Sequence, residues 1–296
     1  MTTENRYIHN ALKQVRIHAA CSSIQGFSIS GLSTYLQFPE MNFCVDMGEC
    51  PLTATPIDHV FLTHAHGDHA RCIMRHNSLR KMMGVERDSV YYVPESICEG
   101  AKAWIKAEAM FEGVSETKFR YPEIEPVTAG TRIPLRYRKD LVLEPFEVKH
   151  SVPAMGATVL LHKKKLKDEF LGKSANEIIE LRKNGVEVTR EVYEPQLSFM
   201  GDCLGESLLD HPDVFKSKVL VTECTFLDKD EEQMAFKKGH THLSSIVKAL
   251  NELGDGVKCE QIVLTHFSMK YSEKHILDTL AKNIPEKFKE RIVAFV

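Results

Sequence analysis

The strongest constraint on this chain is where its short apolar runs stop. Val60-Phe61-Leu62, Leu197-Ser-Phe-Met200, Val219-Leu-Val-Thr222 and Gln261-Ile-Val-Leu-Thr265 read as buried strands, and within two residues they reach His64, Asp202, Glu223 and His266. Near-continuous apolar strands are buried on both faces, which requires helices or a second sheet on either side. Loops leaving the strand ends on one edge are where such α/β proteins assemble polar sites, so residues far apart in sequence can meet there.

The rest of the pattern supports a layered α/β fold. Residues 32–38 and 42–46 read as a hairpin turning at Pro39-Glu40, and 141–149 and 157–162 as further strands. Helices are expected over 95–111, over 174–184 behind a Ser174 cap with Glu177 three places on, over 243–253 and over 272–283. No repeat or linker divides the 296 residues, so the expectation is a single domain, 1–296, in which 163–196 forms an insertion. With 43% apolar residues the chain can build a large core, and its formal net charge of -3 argues against a surface that coats nucleic acid throughout. No apolar run approaches the roughly 18 residues of a membrane span. The opening Met1-Thr-Thr-Glu-Asn-Arg6 has no apolar signal core. These features lead to the expectation of a cytoplasmic protein without a membrane partner, a nuclear or organellar pool being left open. The eight cysteines are scattered without a CxxC pair and read as reduced thiols rather than a zinc ribbon.

The histidines are clustered. Thr63-His64-Ala65-His66-Gly67-Asp68-His69 places four ligand-type residues within six positions. Alternate positions in an extended turn let His64 and His66 face one side, and a bend at Gly67 would turn Asp68 and His69 towards another. Imidazole and carboxylate are ligands for Zn²⁺ in a hydrolytic site, and they also suit Mn²⁺ or Fe. His150, Asp202 and His266, each following an apolar run, are the further candidates.

The order H-x-H-x-D-H, His, Asp, His resembles the metallo-β-lactamase superfamily, and within it the ribonuclease Z branch, over about Thr34 to Tyr271. Phe43-Cys-Val-Asp-Met-Gly-Glu49 resembles the strand before the metal loop, and Lys149-His150-Ser-Val-Pro-Ala-Met-Gly156 the segment around the third metal motif. Thr222-Glu223-Cys-Thr-Phe226 is similar to the family's His-Glu-Ala-Thr box, Gly239-His240-Thr241 to its Gly-His-Ser-Thr box, and Leu264-Thr-His266-Phe-Ser-Met-Lys-Tyr271 to its final motif. The resemblance implies a four-layer αββα fold with mixed sheets between helices. It implies two zinc ions, one held by His64, His66 and His150 and the other by Asp68, His69 and His266, with Asp202 bridging. It further implies a phosphodiesterase that removes the 3′ trailer of precursor tRNA through a metal-bridged hydroxide, with Asp68 as general base and Glu223 paired to His240 as proton donor. A homodimer is implied by the resemblance alone.

The chain departs from the family pattern at four places. After His69 it runs Ala70-Arg-Cys-Ile-Met74, not the glycine- and leucine-rich turn usual in the branch. The first box begins Thr222-Glu223, so only its carboxylate matches. The second reads Gly239-His240-Thr-His242, which leaves His240 and His242 both as candidate donors. The insertion has no Gly-Pro tip of the kind with which the family's arm grips tRNA. Its Lys163-Lys-Lys-Leu-Lys167 run reads equally as phosphate contacts or as a solvated strand end, and Arg132, Arg136, Arg138 and Lys139 carry the same ambiguity. A hydrolase of a small ester, thioester or cyclic phosphodiester is the alternative. A non-catalytic scaffold is disfavoured by the complete ligand set.

Overall fold

The computed structural model describes residues 14–113, 115, 119 and 121–296, so the opening segment that bears on secretion lies outside the described residues. Two sheets form the centre. The first is eight-stranded, in the order β1 (Val15–His18), β2 (Ser23–Ser30), β3 (Ser33–Phe38), β4 (Phe43–Val45), β5 (His59–Phe61), β6 (Val90–Pro94) and β7 (Glu123–Val127), with the short β14 (Phe267–Ser268) beside β2. The second is seven-stranded and runs from β8 (Ile133–Leu135) through β9 (Arg138–Val148), β10 (Ala154–Leu166), β11 (Thr189–Phe199), β12 (Val219–Glu223) and β13 (Gln261–Thr265) to β15 (Ile292–Ala294). Among the described residues the α-helical segments are α1 (Gly67–Ala70), α2 (Ile73–Met82), α3 (Glu95–Phe111), α4 (Ala175–Lys183), α5 (Ser207–Asp210), α6 (Glu232–Lys238), α7 (Leu243–Leu253) and α8 (Glu273–Asn283).

Three apolar clusters define four layers. The inner faces of the two sheets meet through Phe43 and Phe61 of the first and Phe199 of the second, with ring centroids 5.9 and 5.1 Å apart. The outer face of the first sheet packs on α2 and α3 through Ile73, Met74, Cys98 and Ile105. That of the second packs on α7 and α8 through Ile246, Leu250, Ile276 and Leu280. This is the αββα sandwich with two mixed sheets. Removing Phe199, buried between the sheets, would cost about 3–5 kcal/mol, a large share of a domain's stability. All eight cysteines are free, six of them buried.

The strand directions explain why the site forms at one edge. Strands β4, β5, β6 and β7 are mutually parallel, as are β11, β12, β13 and β15. Strand β9 is antiparallel to β10, which is antiparallel to β11, so β9 runs in the same sense as β11. Every one of these strands therefore delivers its C-terminal end to the same edge of its sheet. Asp46, His64, His150, Asp202, Glu223 and His266 all follow or close such ends.

The insertion is an extension of β10 and β11. Beyond Leu161 the strand β10 has lost β9, and residues His162–Leu166 pair only with Thr189–Tyr193, making a two-stranded ribbon that leaves the sheet. Its tip carries α4, capped by the reciprocal Ser174–Glu177 bonds that the sequence predicts.

Candidate metal centre

The H-x-H-x-D-H segment leaves β5 and enters one turn of helix, α1. Gly67 sits at the start of that turn with ordinary backbone angles and open space where a Cβ would stand. The reorientation of Asp68 and His69 is thus made by the helical turn, and the special bend expected at Gly67 is not present. Two other glycines are sterically required. A Cβ on Gly48 would lie 1.7 Å from the Asp68 carbonyl oxygen, and one on Gly201 (φ +65°) would lie 2.7 Å from Thr63 Cβ.

Imidazole nitrogens converge at contact distance. His66 Nδ1 lies 3.0 Å from His64 Nε2 and 3.4 Å from His150 Nε2. His69 Nε2 lies 3.4 Å from His266 Nε2 and 3.7 Å from Asp68 Oδ2. Asp202 Oδ2 is between the groups, 3.3 Å from both His69 Nε2 and His266 Nε2 and 3.9 Å from His64 Nε2. The structure therefore brings together all seven of the residues named as ligands. Their ligand atoms form overlapping sets, His64–His66–His150, His64–His69–Asp202 and Asp68–His69–His266, each within 4.8 Å.

The outward nitrogens show what these rings offer inward. His69 Nδ1 donates to Asp46 Oδ2 at 2.7 Å, and His150 Nδ1 donates to the Gly239 carbonyl at 2.8 Å. Thr63 Oγ1 donates to Asp46, so it accepts from His64 Nδ1 at 2.9 Å. Thr225 Oγ1 donates to Glu223 Oε2 and accepts from His266 Nδ1 at 2.9 Å. In each ring Nδ1–H is used outside, so Nε2 faces the centre and offers its lone pair there once the ring is neutral. Converging lone pairs with carboxylates between them are the donor set of a cation site, so the residues present fit bound metal.

Sequence reasoning missed this supporting shell of Asp46, Thr63, Thr225 and the Gly239 carbonyl. Asp46 had a signal, since it ends an apolar run just as His64 and Asp202 do. Asp46 and His266 also hold left-handed backbone, φ 60° and 58°. Such conformations cost of order 1–3 kcal/mol and persist where the surroundings over-determine them. At His266 the chain crosses from β13 in the second sheet to β14, which pairs with β2 in the first.

Electrostatics follow from burial and neighbours. Burial drives the His64 pKa well below its ordinary value, aided by the neighbouring His69 ring. Burial also disfavours charge on His69, but Asp202 and Asp46 outweigh it and hold that pKa well above the ordinary one. Burial would raise Asp202 and Asp68; nearby histidines, His266 and His69 foremost, reverse the sign and keep both carboxylates ionised.

Glu223 and His240 stand beside the cluster. Glu223 Oε1 accepts from the Cys203 amide at 2.7 Å and from His240 Nδ1 at 3.0 Å, and His240 Nδ1 is also 3.8 Å from Asp202 Oδ2. Burial works against a charged His240, yet the Glu223 carboxylate overcomes it and lifts the pKa to about 9. His242 is not brought to the centre. Its Nδ1 caps α7 by accepting from the Ser244 amide at 3.1 Å, and its Nε2 donates to the Asp228 carbonyl at 3.0 Å, so both ring nitrogens are used in holding the helix start. Of the two candidate donors, His240 is the one whose ring lies against the clustered ligand atoms.

The basic clusters are largely ion-paired, and among the described residues Lys139 alone in them has no acidic partner. Lys163 and Lys165 pair with Glu194, Lys164 with Glu191, Lys167 with Glu187 and Arg190 with Asp168. Arg132, Arg136 and Arg138 pair with Glu144, Glu123 and Asp140. No helix among the described residues is long and apolar enough to cross a membrane.

The β-lactamase superfamily domain matches residues 46–267, a span holding all seven clustered residues. The chain is 33% identical to tRNase Z TRZ1 of Arabidopsis thaliana over 276 residues, 92% of this chain and 94% of that protein. It is 30% identical to the chloroplastic tRNase Z TRZ2 of the same plant over 282 residues, 94% of this chain and 77% of the relative. The crystal structure of human tRNase Z, short form, superposes with a TM-score of 0.55 at 16% identity, covering 83% of this chain and 92% of that one. The chain belongs to the β-lactamase superfamily and, within it, to the tRNase Z (ribonuclease Z) family of metal-dependent hydrolases.

Proposed function

We propose that this chain is a dinuclear zinc phosphodiesterase that removes the 3′ trailer of precursor tRNA. The observation that carries the reading is the Glu223–His240 pair held against Asp202, at the margin of a cluster of five imidazoles and two carboxylates. His64, His66 and His150 would hold one zinc, Asp68, His69 and His266 the other, with Asp202 shared; Mn²⁺ or Fe would satisfy the same donors. Such a metal pair supplies an acidified water and neutralises charge on the scissile phosphate.

The chain's own residues do the remainder. Asp68, partly buried and anchored by the Gly31 amide at 3.0 Å, stays ionised and accepts the proton of the attacking water. The water oxygen forms a bond to phosphorus while the bond to the ribose 3′-oxygen breaks. That oxygen leaves with the electron pair and takes a proton from His240, whose Nδ1 is fixed by Glu223, so that Nε2 is the donor. Mature tRNA then ends in a free 3′-hydroxyl and the trailer keeps the phosphate. The homodimer and the cytoplasmic location expected from the sequence belong to the same proposal.

The test is to purify the protein, measure its metal content and compare three substrates: precursor tRNA with a 3′ trailer, bis(p-nitrophenyl) phosphate and a thioester. Two zinc equivalents with fast trailer removal support the proposal. Rapid thioester turnover with intact tRNA would establish the small-ester alternative instead, a reading favoured by one observation, the ion-paired lysines of the ribbon.

A further inference from the structure

We infer that the cavity on the far side of His240 is the subsite for the nucleoside whose 3′-oxygen leaves, with its base stacked on Phe236. The cavity has a volume of about 410 Å³ and lies between α5, α6 and the start of α7. His240 lines it, and so do Leu209, Phe236 and the serines Ser244 and Ser245. The inference rests on the function proposed above.

The argument is one of connectivity. A group that protonates the leaving oxygen must touch it, and that oxygen is covalently part of a nucleoside. The nucleoside must therefore occupy space adjoining the donor. His240 is fixed on one side by Glu223 and Asp202 and flanked by the rings of His150 and His266, with centroids 5.3 and 5.4 Å away. The cavity lined by His240 supplies adjoining space. Because the leaving atom is O3′, the occupant is the nucleotide immediately 5′ of the scissile bond.

The lining suits a nucleoside better than a phosphate chain. Phe236 on α6 is 67% exposed, an apolar ring presented to solvent beside a polar site, and any base offers it a π face. The charged groups at the cavity are of mixed sign with no cationic surplus: Glu206 pairs with Lys149 at 2.9 Å, Lys248 with Glu252 at 3.8 Å, and Glu232 lies 3.7 Å from His242. They give no net pull on a phosphate, while the Ser244 and Ser245 hydroxyls can hydrogen-bond ribose or base edges. Gly205 keeps this wall close, since a Cβ there would stand 2.2 Å from Ser245 Cβ.

The experiment pairs substrate and protein changes. Single-turnover kcat/KM is measured for wild type, Phe236→Ala and Phe236→Trp on three precursor tRNAs: intact, abasic at the nucleotide 5′ of the cleavage site, and abasic at the first trailer nucleotide. Loss of one base–aromatic stack is worth on the order of 5- to 100-fold, so Phe236→Ala should lose that much on the intact substrate and Phe236→Trp little. On the 5′-abasic substrate Phe236→Ala should cause no further loss, whereas on the trailer-abasic substrate its full effect should persist. Losses that multiply on the 5′-abasic substrate, or that vanish only on the trailer-abasic one, would overturn the assignment. If wild type cleaves no precursor tRNA, the functional proposal fails separately. The pocket is then judged by titration with adenosine 5′-monophosphate, a nucleotide with a free 3′-hydroxyl: binding that Phe236→Ala weakens at least about fivefold and Phe236→Trp preserves keeps it, and absent or unaffected binding removes it.

Discussion

Glu223→Gln separates the proton donor from the metal centre. The substitution keeps the side chain's shape and an oxygen to accept from the Cys203 amide, but removes the charge that faces His240 Nδ1 at 3.0 Å. His240 acts as an acid, so turnover is full below its pKa and lost as pH rises through it. With the pKa at about 9, the protonated ring outnumbers the neutral one by about 30 to 1 at about pH 7.5. Without the carboxylate the ring falls to its ordinary pKa of about 6.5 or lower, because burial now acts unopposed by Glu223, and the ratio becomes about 1 to 10. The protonated fraction at about pH 7.5 therefore drops about tenfold. Misorientation of the ring would add to this, up to the roughly 100-fold or more that a general acid contributes. The assay is single-turnover trailer removal between about pH 6 and about pH 10, with metal content checked in parallel. The alkaline limb should move from near 9 towards neutrality, with metal content unchanged. Hydrolysis of bis(p-nitrophenyl) phosphate, whose leaving group needs no proton, should fall far less. An alkaline limb that stays near 9, or equal losses on both substrates, would refute the role given to the pair.

Other perturbations address the rest of the site. His242→Ala removes a helix cap and should lower stability by about 0.5–2 kcal/mol in denaturant titration while trailer cleavage by the folded protein persists; His240→Ala should do the reverse. Asp46→Asn should weaken metal binding about 10- to 100-fold in a competitive chelator titration, since Asp46 orients His69 and, through Thr63, His64. Metal uptake should release protons and strengthen as pH rises, because a His69 held protonated by Asp202 and Asp46 must become neutral to ligate; pH-stat titration of the chelator-stripped protein reads this directly. Replacing Lys163 and Lys165 by Ala should leave the slope of the salt dependence of precursor-tRNA binding nearly unchanged, since both lysines already face the Glu194 carboxylate; a slope reduced by about one per lysine would show that they contact phosphates instead.

What the sequence disclosed and what it hid divide along a physical line. Residues whose chemistry is local were legible: the four ligand-type side chains between His64 and His69, the Ser174–Glu177 capping box, and apolar runs ending in Asp202, Glu223 and His266. Helix α3 was also legible, because its apolar positions recur on one face. The strands β1, β2, β6 and β15 were not assigned from pattern, and neither was the helix α2, whose buried face includes His76, Asn77 and Arg80 and so carries no apolar stripe. Nothing local distinguishes His240 from His242, two positions apart in one loop. Their roles part only through residues distant in sequence, Glu223 for one and the Asp228 carbonyl for the other.

The same contrast explains why the metal residues and their supports differ in legibility. A ligand is constrained by its element chemistry, which admits few residue types, and it is recognisable wherever it stands. A supporting group need only accept one N–H bond, which Asp46, Thr63, Thr225 and a Gly239 carbonyl do equally well. Thr225 is the most consequential of these, since its single hydroxyl accepts from His266 and donates to Glu223. It ties a ring facing the metal centre to the carboxylate that charges the proton donor, so the two halves of the site share one hydrogen-bonded frame. Thr225→Val should therefore disturb both metal affinity and the alkaline limb of turnover, whereas Thr225→Ser, which keeps the hydroxyl, should disturb neither. A valine variant that altered only one of the two would show that the halves are independently held.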